Sequence, residues 1–279
     1  MDKAPLTEHL GELRNRIVIT LIAVMITFSA SFYFSEDIFR LLTAPIHYIL
    51  NFSLESPYIT IIPTKNPNLN LVFLAPAEAL WMHFKISFIS AIIISSPLIF
   101  FEIWRFIAPG LLQKERKYAV PFVFTTTFLF LIGALFCFVI VLPFAMNFLL
   151  TYKTANLQPM ISVGKYTDFC LKFILAFGAI FELPVIVVFL TKMGIVSIDF
   201  LAKNRKYAVL IAFVIAALLT PTPDAFNQTL MAVPILILYE AGILASRILN
   251  KKKKTEEEAE EEDEEDDDEE EVEEEEDKT

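Results

Sequence analysis

Ile17–Phe34 runs for 18 residues, and Ala119–Leu142 for 24, without one charged side chain. Nothing else in the chain constrains its fold as strongly. Hydrocarbon about 30 Å thick is crossed by roughly 20 helical residues rising 1.5 Å each. Ala79–Phe101 is a further run of this kind, with His83 and Lys85 near one end, where a lysine can extend toward the interface. Asp168–Leu190 is a fourth, interrupted by Lys172 and Glu182. Two shorter runs follow, Tyr207–Thr220 and Phe226–Tyr239, joined through Pro221 and Pro223. At helical rise each covers only about 21 Å, so local bilayer thinning or charged ends must extend them. These runs predict an all-α, polytopic membrane protein with six transmembrane helices, the last two short.

Composition supports that class and excludes others. Apolar residues make up 55% of the 279, with 27 Phe, and the mean hydropathy is +0.55. A soluble acidic enzyme, a disulfide-stapled secreted domain and a coiled coil are all excluded. The net charge of −11 is misleading, because 20 of the 34 acids lie in residues 256–277. Residues 1–255 hold 22 Lys and Arg against 14 acids, a basic body of net charge +8. The chain thus divides into a cytoplasmic amphipathic segment (1–16), a six-span membrane domain (17–247) and a basic-then-acidic tail (248–279). Self-repulsion predicts disorder in that tail, which serves as a solubilising segment or as a dock for a basic partner.

Orientation follows from the loops. The N-terminus, the second and fourth loops and the segment after the last span together carry 16 Lys and Arg, against four on the opposite side. Both termini are therefore expected in the cytoplasm. Cys137 and Cys170 fall inside predicted spans and read as packing residues rather than redox centres. No phosphate-binding glycine loop, nucleophile elbow or paired metal-binding histidines occur, so neither enzyme activity nor a cofactor or metal is expected.

Three groups of residues carry polar chemistry. In the N-terminal segment Leu6, Leu10, Leu13 and Ile17 recur at helical spacing, making an amphipathic surface helix that Thr7 can cap. Glu12 lies four residues before Arg16, which fits either a simple intrahelical ion pair or a carboxylate awaiting an external cation. In the loop from Trp104 to Lys117, Pro109 and Gly110 form a turn, and Glu115 is a lone acid among cations, either balanced locally or functional. Glu182 sits in Phe-Glu-Leu-Pro, deep in a span, where a charge costs about 2.5–3.5 kcal/mol or more. It must be protonated, paired or facing a wet cavity; Pro184 should kink the helix there, and Asp224, Asn227 and Gln228 are candidate polar partners.

Four stretches in order make the chain resemble the TatC family, the multispanning core of the twin-arginine protein translocase. They are His9-Leu-Gly-Glu-Leu-Arg14, Phe106-Ile-Ala-Pro-Gly-Leu111 with Glu115-Arg116, Phe177-Gly-Ala-Ile-Phe-Glu-Leu-Pro184, and Leu219 to Leu230 with Asp224 and Gln228. The resemblance implies a concave, glove-like bundle that binds the twin-arginine signal peptides of folded precursors. It implies recruitment of single-span TatA- and TatB-type partners, self-association in a receptor complex, and transport driven by the proton-motive force. Glu12 and Glu115 are then arginine contacts, Phe106 and Leu111 the adjoining recognition loop, and Arg14 a support. Pro45 matches a functional position in the first external loop; Glu182, Asp224 and Gln228 match polar positions near the partner-docking face. The implied location is the bacterial inner membrane, with the thylakoid membrane as alternative, and no nucleic acid is implied. The rival reading from the residues alone is a proton-coupled small-solute transporter using Glu182.

Overall fold

The computed structural model describes residues 6–52, 59–63, 71–108, 119–151, 160–220 and 224–276, and side chains only over 10–46, 71–108, 120–150, 160–220 and 224–250. Helix α1, Leu6–Tyr33, joins the amphipathic segment and the first apolar run without a break. The expected boundary at residue 16 is thus a change of environment along one helix. Helix α2, Ser35–His47, opens on Glu36 and Asp37, whose charges suit a helix N-terminus. Strands β1 (Tyr48–Phe52) and β2 (Ile59–Pro63) follow as an antiparallel pair, Tyr48 opposite Pro63. Strand β3 (Leu71–Val72) pairs in parallel with β4 (Ile161–Ser162). These short strands lie outside the apolar runs, so the spanning architecture stays helical.

Helix α3 is Glu78–Ile107. Helix α4, Ala119–Phe136, passes through one wide turn at Cys137–Val141 into α5, Leu142–Thr151. Pro143 explains the widened turn. Its ring has no N–H to donate and would collide with the carbonyl four residues back, and an extra residue in the turn relieves both. The apolar helix consequently reaches Leu150, well past the expected end at Leu142. Helices α6 (Val163–Ile180) and α7 (Leu183–Lys192) are one span broken at Phe181–Glu182, with Pro184 in the first turn of the second half, as the sequence predicts. A short α8 (Ile198–Lys203) leads into α9, Arg205–Leu219, and then α10, Ala225–Glu276.

Among the described residues, five stretches are long and apolar enough to cross a membrane: Leu10–Tyr33, Glu78–Ile107, Val120–Leu150, Val163–Lys192 and Ala225–Asn250. Helix α9, with 15 residues, spans about 22 Å and falls short of that length, as expected. The last helix corrects the sequence reading. It is long, because the Glu240 that seemed to end it is paired with Arg205 and the helix continues through Arg247. Its backbone then stays helical to Glu276, where an irregular tail was expected. Glutamate favours helix, and extending an existing helix avoids the cost of nucleation.

The helices alternate in direction, so the bundle has two ends: a near end, where α1 begins and α3 finishes, and a far end. Hydrocarbon gives little hydrophobic reward for helix association, so close packing and small side chains must supply it. Accordingly Ala91, Ala134, Ala212, Ala216 and Ala232 are all buried between helices. Phe173, Phe177, Ile86, Leu142 and Met231 fill the centre, and Cys137 and Cys170 are buried, unbridged thiols among them. Helix α1 packs mainly on α3, where the Thr27 and Ser95 hydroxyls are 2.7 Å apart. Its opposite face, Leu21, Ile22, Met25 and Ile26, is exposed.

Candidate functional site: a shared arginine at the near end

At the near end the first turns of α1 meet the last turns of α3. Arg16 donates from Nη1 to Glu102 Oε2 at 3.0 Å and from Nη2 to Glu12 Oε1. The intrahelical pair expected from the four-residue spacing is therefore present, but it is half of a larger arrangement. Glu102 is almost wholly buried, and a buried carboxylate must be paired to be tolerated. Sequence reasoning passed over Glu102 because it stands just beyond the second apolar run, where acids are unremarkable. The signal that marks it is its place two residues before Trp104 on a helix that must pack. Trp104 is itself buried, stacked on Phe122 at 4.8 Å and edge-on to Phe189 at 5.0 Å, which ties α3 to α4 and α7 at this end.

Around this cluster Arg14 is exposed and Phe106 is half-buried in the last turn of α3. Leu111 and Glu115 lie outside the described residues. Across the near end, Arg205 grips Glu240 with two hydrogen bonds, 2.5 and 2.9 Å, and the Tyr239 hydroxyl donates to the Leu201 carbonyl at 2.9 Å. These contacts fix α8 and α9 to α10.

Pro45 is not in a loop. It is buried in the last turn of α2, directly before the hairpin, and the Tyr166 hydroxyl of α6 donates to the nearby Leu42 carbonyl at 2.6 Å. Glu182 sits at the break between α6 and α7, buried, with Oε1 lacking any hydrogen-bond partner among the described residues. The polar residues expected to meet it do not. Asp224 accepts from the Asn227 amide (2.7 Å) and its Nδ2 (3.0 Å), and Gln228 Nε2 donates to the Phe213 carbonyl at 3.1 Å. The separation is geometric: Pro184 lies against Gly242, 14 residues and so about 21 Å further along α10 than Gln228.

At the far end Glu78 accepts from the Leu74 and Gly164 amides at 2.6 and 2.8 Å and from the Ser162 hydroxyl, joining the start of α3 to the start of α6. Seven residues, about two turns, further along α3, Lys85 Nζ meets Asp168 Oδ1 at 2.7 Å, so Lys85 has a partner on the neighbouring helix where the sequence suggested only an extended lysine.

These features define a multi-pass helical membrane protein whose polar chemistry is concentrated at its two ends and one mid-span break. A family model, TatC, the Sec-independent protein translocase protein, matches residues 8–234. The TatC of Desulforapulum autotrophicum is 40% identical over 250 residues, covering 90% of this chain and 87% of that protein. The TatC of Aquifex aeolicus is 40% identical over 249 residues, covering 88% and 96%. A crystal structure of the twin-arginine translocase receptor TatC in DDM is similar with a TM-score of 0.72 and 39% identity, covering 85% of this chain and 99% of that one. The chain belongs to the TatC family. It is a translocase component and not an enzyme, and the solute-transporter reading drops out with that membership.

Proposed function

We propose that this protein is the receptor and core of a twin-arginine translocase, binding the paired arginines of folded precursors with Glu12 and Glu115. The observation that carries the site assignment is the meeting of α1 and α3 through Arg16. It puts Glu12 beside the end of α3, and Glu115 follows that helix end, Ile107, by only eight residues. An arginine fork takes a carboxylate in two-point contact, so two adjacent arginines suit two acids on neighbouring elements. Phe106 and Leu111 give the recognition loop its apolar part, and Arg14 supports it. Pro45 and the hairpin face the other side of the membrane. TatA- and TatB-type single-span partners dock near Glu182, Asp224 and Gln228, and the proton-motive force drives transport in a self-associated complex.

The near end is the cytoplasmic end of a protein of the bacterial inner membrane, and six crossings place both termini there. Helix α9 supplies the crossing that its length alone does not. Arg205 is tied to Glu240 at the near end, and the Phe213 carbonyl to Gln228 toward the far end. Thinning of the bilayer around this short helix follows.

The test is crosslinking of a twin-arginine signal peptide in membranes, beside a twin-lysine peptide. Glu12→Ala and Glu115→Ala should each cut capture by roughly tenfold or more, the worth of one charge-assisted contact. Capture that ignores both the arginines and Glu115 would sink the receptor assignment.

A further inference from the structure

The carboxylate assigned to a signal arginine already holds an arginine of the chain itself. Arg16 divides one guanidinium between Glu12 and Glu102, acids on two different helices. Two features distinguish this arrangement from a saturated structural clamp. Arg16 Nε is buried and has no acceptor among the described residues, so the guanidinium is incompletely bonded. The two acids are also unequal: the Glu12 side chain is 36% exposed and the Glu102 side chain 6%. One faces arriving ligands and the other does not.

We propose that Arg16 is a built-in competitor for the signal arginine at Glu12, and that Glu102 is the counter-ion that holds Arg16 once Glu12 is taken. This rests on the assignment of Glu12 to the receptor site. An incoming arginine presents the same planar fork as Arg16 and can replace it like for like, whereas an ammonium cannot. With a second arginine at the cluster there is one carboxylate for each guanidinium, Glu12 for the ligand and Glu102 for Arg16. Without Glu102 the exchange would strand Arg16 as a largely buried, unpaired cation, so Arg16 would stay on Glu12 and repel the ligand. Glu102 is thereby a positioning residue that touches no signal peptide, and Arg16 sets the threshold that a ligand must exceed.

The experiment titrates a photo-crosslinkable twin-arginine peptide against the full-length protein in membranes. Glu102→Gln should weaken capture about fivefold or more, the size of one partly exposed charge contact. Adding Arg16→Gln to Glu102→Gln should restore capture to the wild-type level or beyond, because the competitor is then gone. A purely structural role gives the opposite sign, with the double variant at least as weak as Glu102→Gln. Arg16→Lys leaves the charge of the cluster unchanged, and should tighten capture, since an ammonium holds Glu12 less well than a guanidinium fork. Wild-type capture by Glu102→Gln, no recovery in the double variant, or weaker capture by Arg16→Lys overturns the proposal. Capture by the wild type that does not distinguish arginine from alanine in the peptide overturns the receptor assignment as well, and so separates the two failures.

Discussion

A methyl group added at Gly133 would lie 2.6 Å from the Phe177 carbonyl oxygen, and one at Gly178 would lie 2.7 Å from the Phe130 ring. These two glycines let α4 and α6 cross at a distance no other residue permits. Gly133→Ala meets backbone, which cannot rotate away, and should cost about 1–3 kcal/mol of stability; Gly178→Ala meets a ring that can tilt and should cost less. Gly11 has open space around it, so Gly11→Ala should be neutral or stabilising by up to about 1 kcal/mol. Thermal unfolding in detergent ranks the three, and equal effects would refute the packing argument. Glu182 is a different residue-scale case. Its orphaned Oε1 destabilises the bundle, so Glu182→Leu should raise stability by roughly 1–3 kcal/mol. The same variant should lose crosslinking to a TatA- or TatB-type partner, since a stabilised bundle without its acid separates function from folding.

Among the elements, the far-end joint depends on one carboxylate. Glu78→Ala removes the acceptor for the Leu74, Ala75 and Gly164 amides and the Ser162 hydroxyl, and so loosens the joint between the starts of α3 and α6. Hydrogen exchange should quicken at the starts of α3 and α6 and stay unchanged at the near end; uniform quickening would contradict a local joint. How much of this was legible in the sequence depends on range. The break at Pro184 and the Glu12–Arg16 pair are local patterns, written in spacings of two to four residues, and both were readable. Glu102, Glu78 and the Lys85–Asp168 pair answer residues 83 to 86 positions away, and no periodicity reports such distances. Helix lengths failed for a related reason. Glu240 reads as the end of a span until Arg205 is known to neutralise it, and Pro143 reads as a terminator until the widened turn absorbs it.

At the scale of the molecule, the proposed six-crossing topology makes a prediction that the chain's own cysteines help to test. Cys137 and Cys170 are wholly buried, so the unmodified protein should resist membrane-impermeant maleimides. Single cysteines at Lys3 and Lys278 should then label only from the cytoplasmic side, and one at exposed Leu74 only from the other. Labelling of Lys3 and Lys278 from opposite sides would mean that α9 does not cross.

The shared arginine also has a history within each molecule's synthesis. Glu102 is made 86 residues after Arg16, which at 5–20 residues per second is a wait of roughly 4–17 s. Glu12 leaves the ribosome before Arg16 and sits one turn away on the same helix. Helix α1 is therefore made with its arginine already neutralised by Glu12, and that arginine comes to be shared with Glu102 only when α3 arrives.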